Sequence, residues 1–397
     1  MSMRWQASIV KPGFNPLVQF SGKWTLQSQA QAVAASTWPS PPIGTGYYLW
    51  TWGINGSGQL GLGNTTAYSS PKQVGSLTTW YQITGGNNWM IAIKNDGSLW
   101  TWGNNSQGQL GLGNRTSYSS PKQVGALTTW LKVSAGYYSA AAIKSNGSLW
   151  TWGFNLSGEC GLGNLTKYSS PKQVGSLTTW SSVAMAKVYA CFAIKTDGTL
   201  WSWGRNADGQ LGLGNRTYYS SPKQVGSLTT WANIFPGGFH LLATKTDGTL
   251  WVCGKNGSGQ LGLGNRTSYS SPKQVGALTT WSNGGGNLNS SQVPKTDGTL
   301  WSWGYNSSGE LGQNNTTAYS SPKQVGALTN WSKIGAFANT TLAIKTDGTL
   351  WDWGFGGNGE LGLGNTTYYS SPKQVGALTT WTQVSSSGGT FGAALKT

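Results

Sequence analysis

The chain runs to 397 residues, of which 60 are glycine and 24 tryptophan, while only 9% are charged. That composition excludes a helical or coiled-coil protein and describes turn-rich, aromatic β structure. No apolar run approaches the roughly 18 residues of a membrane span, and the N-terminus lacks the basic-then-apolar pattern of a secretory signal, so a soluble protein made without export is expected.

The first predicted element, residues 1–45, is an arm carrying Trp5, Phe14, Phe20, Trp24 and Trp38 among five prolines. Leu26–Ser36, capped by Thr25, predicts a short helix. Terminal segments stay ordered only when tied down, and an arm this aromatic is poorly suited to water. It is expected to anchor the protein on another subunit of a particle or oligomer, the alternative being that it packs back on the rest of its own chain.

From residue 46 the chain repeats. LWxWG runs begin at Leu49, Leu99, Leu149, Leu200, Leu250, Leu300 and Leu350, spaced by 50 or 51 residues with no insertion. Each unit reads LWTWGxNxxGQLGLGNxTxYSSPKQVGxLTTW, a variable stretch, then AIKTDGT. LWTWG and AIK are β-prone runs joined by Asp-Gly or Asn-Gly, whose residues tolerate the positive φ of a tight hairpin. SSPKQV and the segment after LTTW supply two further strands. Four strands per unit, seven times over, predict an all-β, seven-bladed propeller of four-stranded antiparallel blades. The last unit stops at Thr397 without its Asp-Gly turn, and the first LWTWG lacks a preceding AIK strand. The two ends are therefore expected to pair within one composite blade and close the ring.

The net charge of +16 attracts polyanions of every kind and by itself chooses none of them. The lysines recur with the repeat, as one ring at Lys72, Lys122, Lys172, Lys223, Lys273, Lys323 and Lys373 and a second from Lys94 to Lys396. Acidic cell-surface polymers or a protein bound on the propeller face are the expected partners; nucleic acid is less favoured because no basic stripe forms.

The WGxNxxGQLGLG core and the period near 50 resemble the regulator of chromosome condensation family of seven-bladed propellers, over residues 46–397. The resemblance implies the fold and a binding role, since such propellers serve as exchange factors, chromatin binders, ubiquitin-ligase modules and bacterial inhibitors. Exchange activity in that family depends on an inserted wedge and on acidic and histidine positions. Here the even spacing leaves no wedge and His240 is the only histidine, which argues against nucleotide exchange.

Catalytic and cofactor signals are weak. Gly56–Gly61 and Gly257–Gly262 match GxGxxG but lack the following helix that a dinucleotide site needs. Cys160, Cys191 and Cys253 have no metal-ligand spacing and read as buried apolar residues. Glu159, Glu310 and Glu360 replace the Gln59 of the first unit in separate blades, and the N-x-S/T triplets recur as turn formers. No catalytic residue, cofactor or metal is expected.

Comparing the units with one another locates a candidate recognition surface in the stretch after LTTW, at Trp89, Tyr137, Tyr138, Tyr189, Phe239, His240 and Phe337. Rigid aromatic side chains there suit protein or sugar contacts. The run Ser21–Gln29 resembles segments of phage structural proteins. The leading functional expectation is a non-enzymatic virion component, structural or receptor-binding, assembled in the host cytoplasm and displayed through its arm. The alternative is a cellular propeller, scaffold or inhibitor, that binds a protein on one face.

Overall fold

The computed structural model describes residues 43–337, 339–385 and 391–397, with Phe337 described for its backbone alone. The arm's five aromatic residues and the helix expected over Leu26–Ser36 lie outside the described residues.

Seven four-stranded antiparallel sheets are arranged as blades. Blade 1 is built from Trp80–Gly85, Trp89–Lys94, Leu99–Gly103 and Tyr118–Gln123, innermost strand first. Blades 2 to 6 repeat it, their first strands starting at Trp130, Trp180, Trp231, Gly285 and Trp331. Blade 7 combines the two ends of the chain: Phe391–Lys396 lies antiparallel to Tyr48–Gly53, in register from Tyr48 opposite Lys396 to Gly53 opposite Phe391. The expected closure is thus observed, and the sheet has the same four strands as every other blade.

The hairpin chemistry follows the repeated AIKTDGT. Gly97 takes φ +78°, and its N–H donates to Lys94 O. A Cβ there would stand 2.2 Å from Thr128 O, so glycine is required by conformation and by space. Asp96 Oδ1 accepts from the Ser98 backbone and hydroxyl, whose oxygen in turn accepts from the Trp100 indole.

The core lies between blades, not within one. In the second strand of blade 1, Trp89, Ile91 and Ile93 pack toward blade 2. Met90 and Ala92 pack toward blade 7. This period of two buries both faces of one strand. The last tryptophan of each LWxWG staples neighbouring blades: the indole N–H of Trp102 donates to Gln59 O, and that of Trp152 to Gln109 O. Trp52 closes the ring in the same way through Glu360 O. Cys253 replaces this tryptophan in blade 4 and reaches Gln210 O with its thiol at 3.5 Å.

Candidate functional site

The long loop after six of the seven LWxWG runs is held by an asparagine buried inside it, and the last unit has Gly356 at that position. Asn55 Oδ1 accepts from the Leu60 N–H while Nδ2 donates to the Asn64 and Thr66 carbonyls, and Asn105, Asn155, Asn206, Asn256 and Asn306 repeat the pattern. This loop fixes the residue just before the asparagine against the tip of its own blade's first hairpin. The N–H of Phe154 donates to Tyr138 O, that of Arg205 to Tyr189 O, and that of Lys255 to Phe239 O. Among the described residues, blades 1 to 6 each present such a hydrogen-bonded pair on one face, and both members vary from unit to unit.

In blades 2, 3 and 4 these pairs are Tyr138 with Phe154, Tyr189 with Arg205 and Phe239 with Lys255, and they are half-buried neighbours. Phe154 lies 4.9 Å from Tyr189 and 6.3 Å from Tyr138, ring centre to ring centre. Tyr137 packs edge-on against both tyrosines. Cations cover the outer rings: Lys167 Nζ lies 4.8 Å from the centre of Phe154, and Arg205 and Lys255 flank Phe239 at 5.3 and 4.8 Å. Tyr189 adopts φ +55°, a left-handed conformation uncommon for an aromatic residue, at the middle of the cluster. Leu156 and Leu165, exposed by more than half, belong to the same blade 2 loop as Phe154 and Lys167. Blades 1 and 5 carry Asn88 with Asn104 and Asn289 with Tyr305 at the paired positions.

Two residues expected on this surface are not there. Trp89 and His240 begin the second strand of their blades, one residue past the hairpin tip, so their side chains turn into the seam with the next blade and are buried. The Trp89 indole donates to Tyr137 O. His240 Nε2 meets Ser291 Oγ at 2.9 Å, and burial, aided by Lys187 and Lys255, lowers its pKa to about 3. It is a neutral packing residue. The side chain of Phe337 lies outside the described residues. The lysines of the Lys72 series are exposed on the outermost strands, each over a tyrosine of its own strand, as with Lys72 at 5.4 Å from the Tyr68 ring centre. They encircle the ring and do not converge on the aromatic cluster.

Lys187 was missed by sequence reasoning. It follows the first strand of blade 3, reaches across the ring, and donates from Nζ to Gly286 O of blade 5 at 2.8 Å and to Ala336 O of blade 6. It lines a central cavity of about 280 Å³ to which the first strand of every blade contributes. Burial lowers its pKa to about 7.

Chemistry at the buried acids is equally restrained. Glu159, Glu310 and Glu360 each accept a backbone N–H two residues earlier, within their own loops, and burial raises all three, Glu159 to about 8 and Glu310 to about 7. The structure uses them as loop caps and pairs none with another in acid/base geometry. Cys160, Cys191 and Cys253 are buried, reduced thiols. Among the described residues, no three His, Cys, Asp or Glu side chains converge as metal ligands. No described helix is long and apolar enough to cross a membrane.

A closed ring of seven four-stranded antiparallel blades, its framework repeated from unit to unit, defines a seven-bladed β-propeller. The chain belongs to the regulator of chromosome condensation (RCC1) repeat family, whose repeat matches residues 48–93, 96–143, 146–191, 197–244, 247–282, 297–344 and 347–395. No curated protein matches it. Among solved structures it is similar to Prp20p of Saccharomyces cerevisiae, with 19% identity, a TM-score of 0.80, and 89% of this chain and 92% of that one covered. That work describes the binding of Prp20p to Gsp1p and histones. Human WBSCR16 is similar at 19% identity and a TM-score of 0.78, covering 88% of this chain and 98% of that one.

Proposed function

We propose that the protein is a non-enzymatic propeller that grips an acidic protein partner on the loop face of blades 2 to 4. The observation carrying this reading is the run of three adjacent variable pairs that hold aromatic and cationic residues on an otherwise repetitive scaffold. Aromatic anchors ringed by cations supply affinity and orientation, and the partner's acidity follows from the charge. The formal net charge is +16, with 26 lysines and arginines against ten carboxylates. Arg205 adds a part-exposed guanidinium, whose terminal nitrogen stands 3.8 Å from Asp208. That a relative of the same fold is described as binding Gsp1p and histones fits a protein-gripping role.

This reading takes the cellular scaffold over the virion component. The virion expectation drew on residues 1–45, nearly all outside the described residues, and the relatives found give it no support. Placing a photo-crosslinking amino acid at Tyr189, and separately at Tyr305 of blade 5, tests the face directly. Adducts from position 189 and few from 305 are expected; equal yields, or adducts from 305 alone, would move the site elsewhere.

A further inference from the structure

At the opposite end of the blades lies a second, repeated feature. The cleft between blades 1 and 2 has a volume of about 410 Å³ and is lined by Gln123, Leu127, Trp150, Lys144, Ser170 and Pro171. Trp130 begins its strand and Lys144 ends its own, so this cleft faces away from the Tyr137–Tyr138 tip. The same residue types recur between blades 7 and 1, 4 and 5, and 6 and 7, in clefts of about 370, 350 and 360 Å³.

Three properties make these clefts more than gaps between blades. Each is rimmed by a leucine that is 45 to 58% exposed, namely Leu77, Leu127, Leu278 and Leu378, and Leu177, Leu228 and Leu328 are exposed at the same register in the other units. These leucines contribute little to the core and, beside the cleft tryptophan and proline, give each cleft an apolar rim. A tryptophan ring lies half-exposed in the wall with a lysine over one face, as Lys144 Nζ lies 3.8 Å from the Trp150 centre. Lysine lines three of the four clefts, and no acidic residue lines any of them.

We propose that these clefts form a ring of equivalent sites for an acidic polysaccharide. An indole edge, leucine and proline make an apolar plate for the C–H face of a sugar ring. The glutamine amide and serine hydroxyl address its hydroxyls, and the lysine meets its carboxylate. The volume holds one or two sugar units. Sites that repeat around a ring favour a ligand that also repeats, and a single lysine in three of the four clefts matches a polymer with one charge per one or two sugars. The blade 5 to 6 copy keeps its rim leucine, Leu328, but has Gln313 where Leu112 lines the blade 1 to 2 cleft, and Gln313 Nε2 donates to Ser302 Oγ and Lys323 O.

The test uses the whole protein in about 150 mM salt with sodium polygalacturonate, monomeric galacturonate, neutral dextran, polyglutamate and poly(U) as probes. Polygalacturonate should bind at least roughly 100-fold more tightly than the monomer, through avidity, and dextran should not bind. The fourfold variant L77S/L127S/L278S/L378S changes only exposed side chains. It should keep its circular-dichroism melt and lose at least tenfold in polymer affinity, as should K94M/K144M/K295M. Polygalacturonate binding no tighter than dextran would overturn the proposal. So would polyglutamate binding equally well with both variants unimpaired, which is charge alone. Tighter binding of poly(U), weakened by the leucine changes, would assign the ring to nucleic acid and overturn the sugar.

Discussion

Asp352 offers a test of the blade chemistry because six other units show what its position normally holds. Thr51, Thr101, Thr151, Ser202 and Ser302 donate their hydroxyls to the carbonyl nine residues on, at 2.6 to 2.8 Å; blade 4 has Val252 there, buried without a polar group. Asp352 is fully buried, accepts the Trp353 N–H on Oδ1, and leaves Oδ2 without a partner. Burial, reinforced by Glu360, holds its pKa well above the ordinary 3.8. Replacing it by threonine removes a buried group whose partner is missing, worth about 1 to 3 kcal/mol, and restores a hydrogen bond worth about 1. For a chain of this size that corresponds to roughly 2 to 4 °C in Tm. The sign with pH is fixed: a carboxyl whose folded pKa is raised costs nothing below its unfolded pKa near 3.8 and progressively more as pH rises above it. D352T should therefore gain more over the wild type at pH 8 than at pH 4, by calorimetry or denaturant melts. A variant less stable than the wild type at pH 8, or a gain equal at both values, would refute the reasoning.

Three further outcomes are expected. Removing Ala393–Thr397 strips the second strand of blade 7 from Tyr48–Gly53, so the whole ring should lose its cooperative melt, and an unchanged Tm contradicts closure by strand pairing. Lys187 is lowered to about 7, so its contribution is complete above pH 10.5 and lost as pH falls toward 7; the wild type should lose stability across that interval, and K187M should show a flatter profile there. A chain beginning at residue 42, which keeps Ile43 on Asn95 O, should fold as the wild type does, with partner incorporation as the measure of whether Trp5, Trp24 and Trp38 anchor it.

The ring was legible in the sequence because its determinants are local and repeated. Asp-Gly turns, an alternating second strand and seven even LWxWG runs each specify one blade, and the complementary ends specify the join. The face was legible only in part. Tyr137, Tyr138, Tyr189 and Phe239 lie in the variable stretch, but one residue further on the strand begins and its alternation sends Trp89 and His240 into the seam. The partners of Tyr138, Tyr189 and Phe239, namely Phe154, Arg205 and Lys255, lie 16 residues downstream, joined to them by backbone hydrogen bonds. A signal existed: the residue after each LWxWG is Ile54, Asn104, Phe154, Arg205, Lys255, Tyr305 and Phe355, varied within an otherwise fixed run. Lys187 left no such trace, because its carbonyl partners belong to blades 5 and 6.

The face itself is tested most directly by amide hydrogen exchange on the protein alone and on its complex with the partner recovered by crosslinking. Protection should concentrate at residues 137–139, 154–156, 188–190 and 239, and the triple variant Y138A/F154A/Y189A, with an unchanged melt, should weaken the complex by at least roughly 100-fold. Protection confined to blades 5 to 7, or a triple variant that binds as the wild type does, would contradict the account.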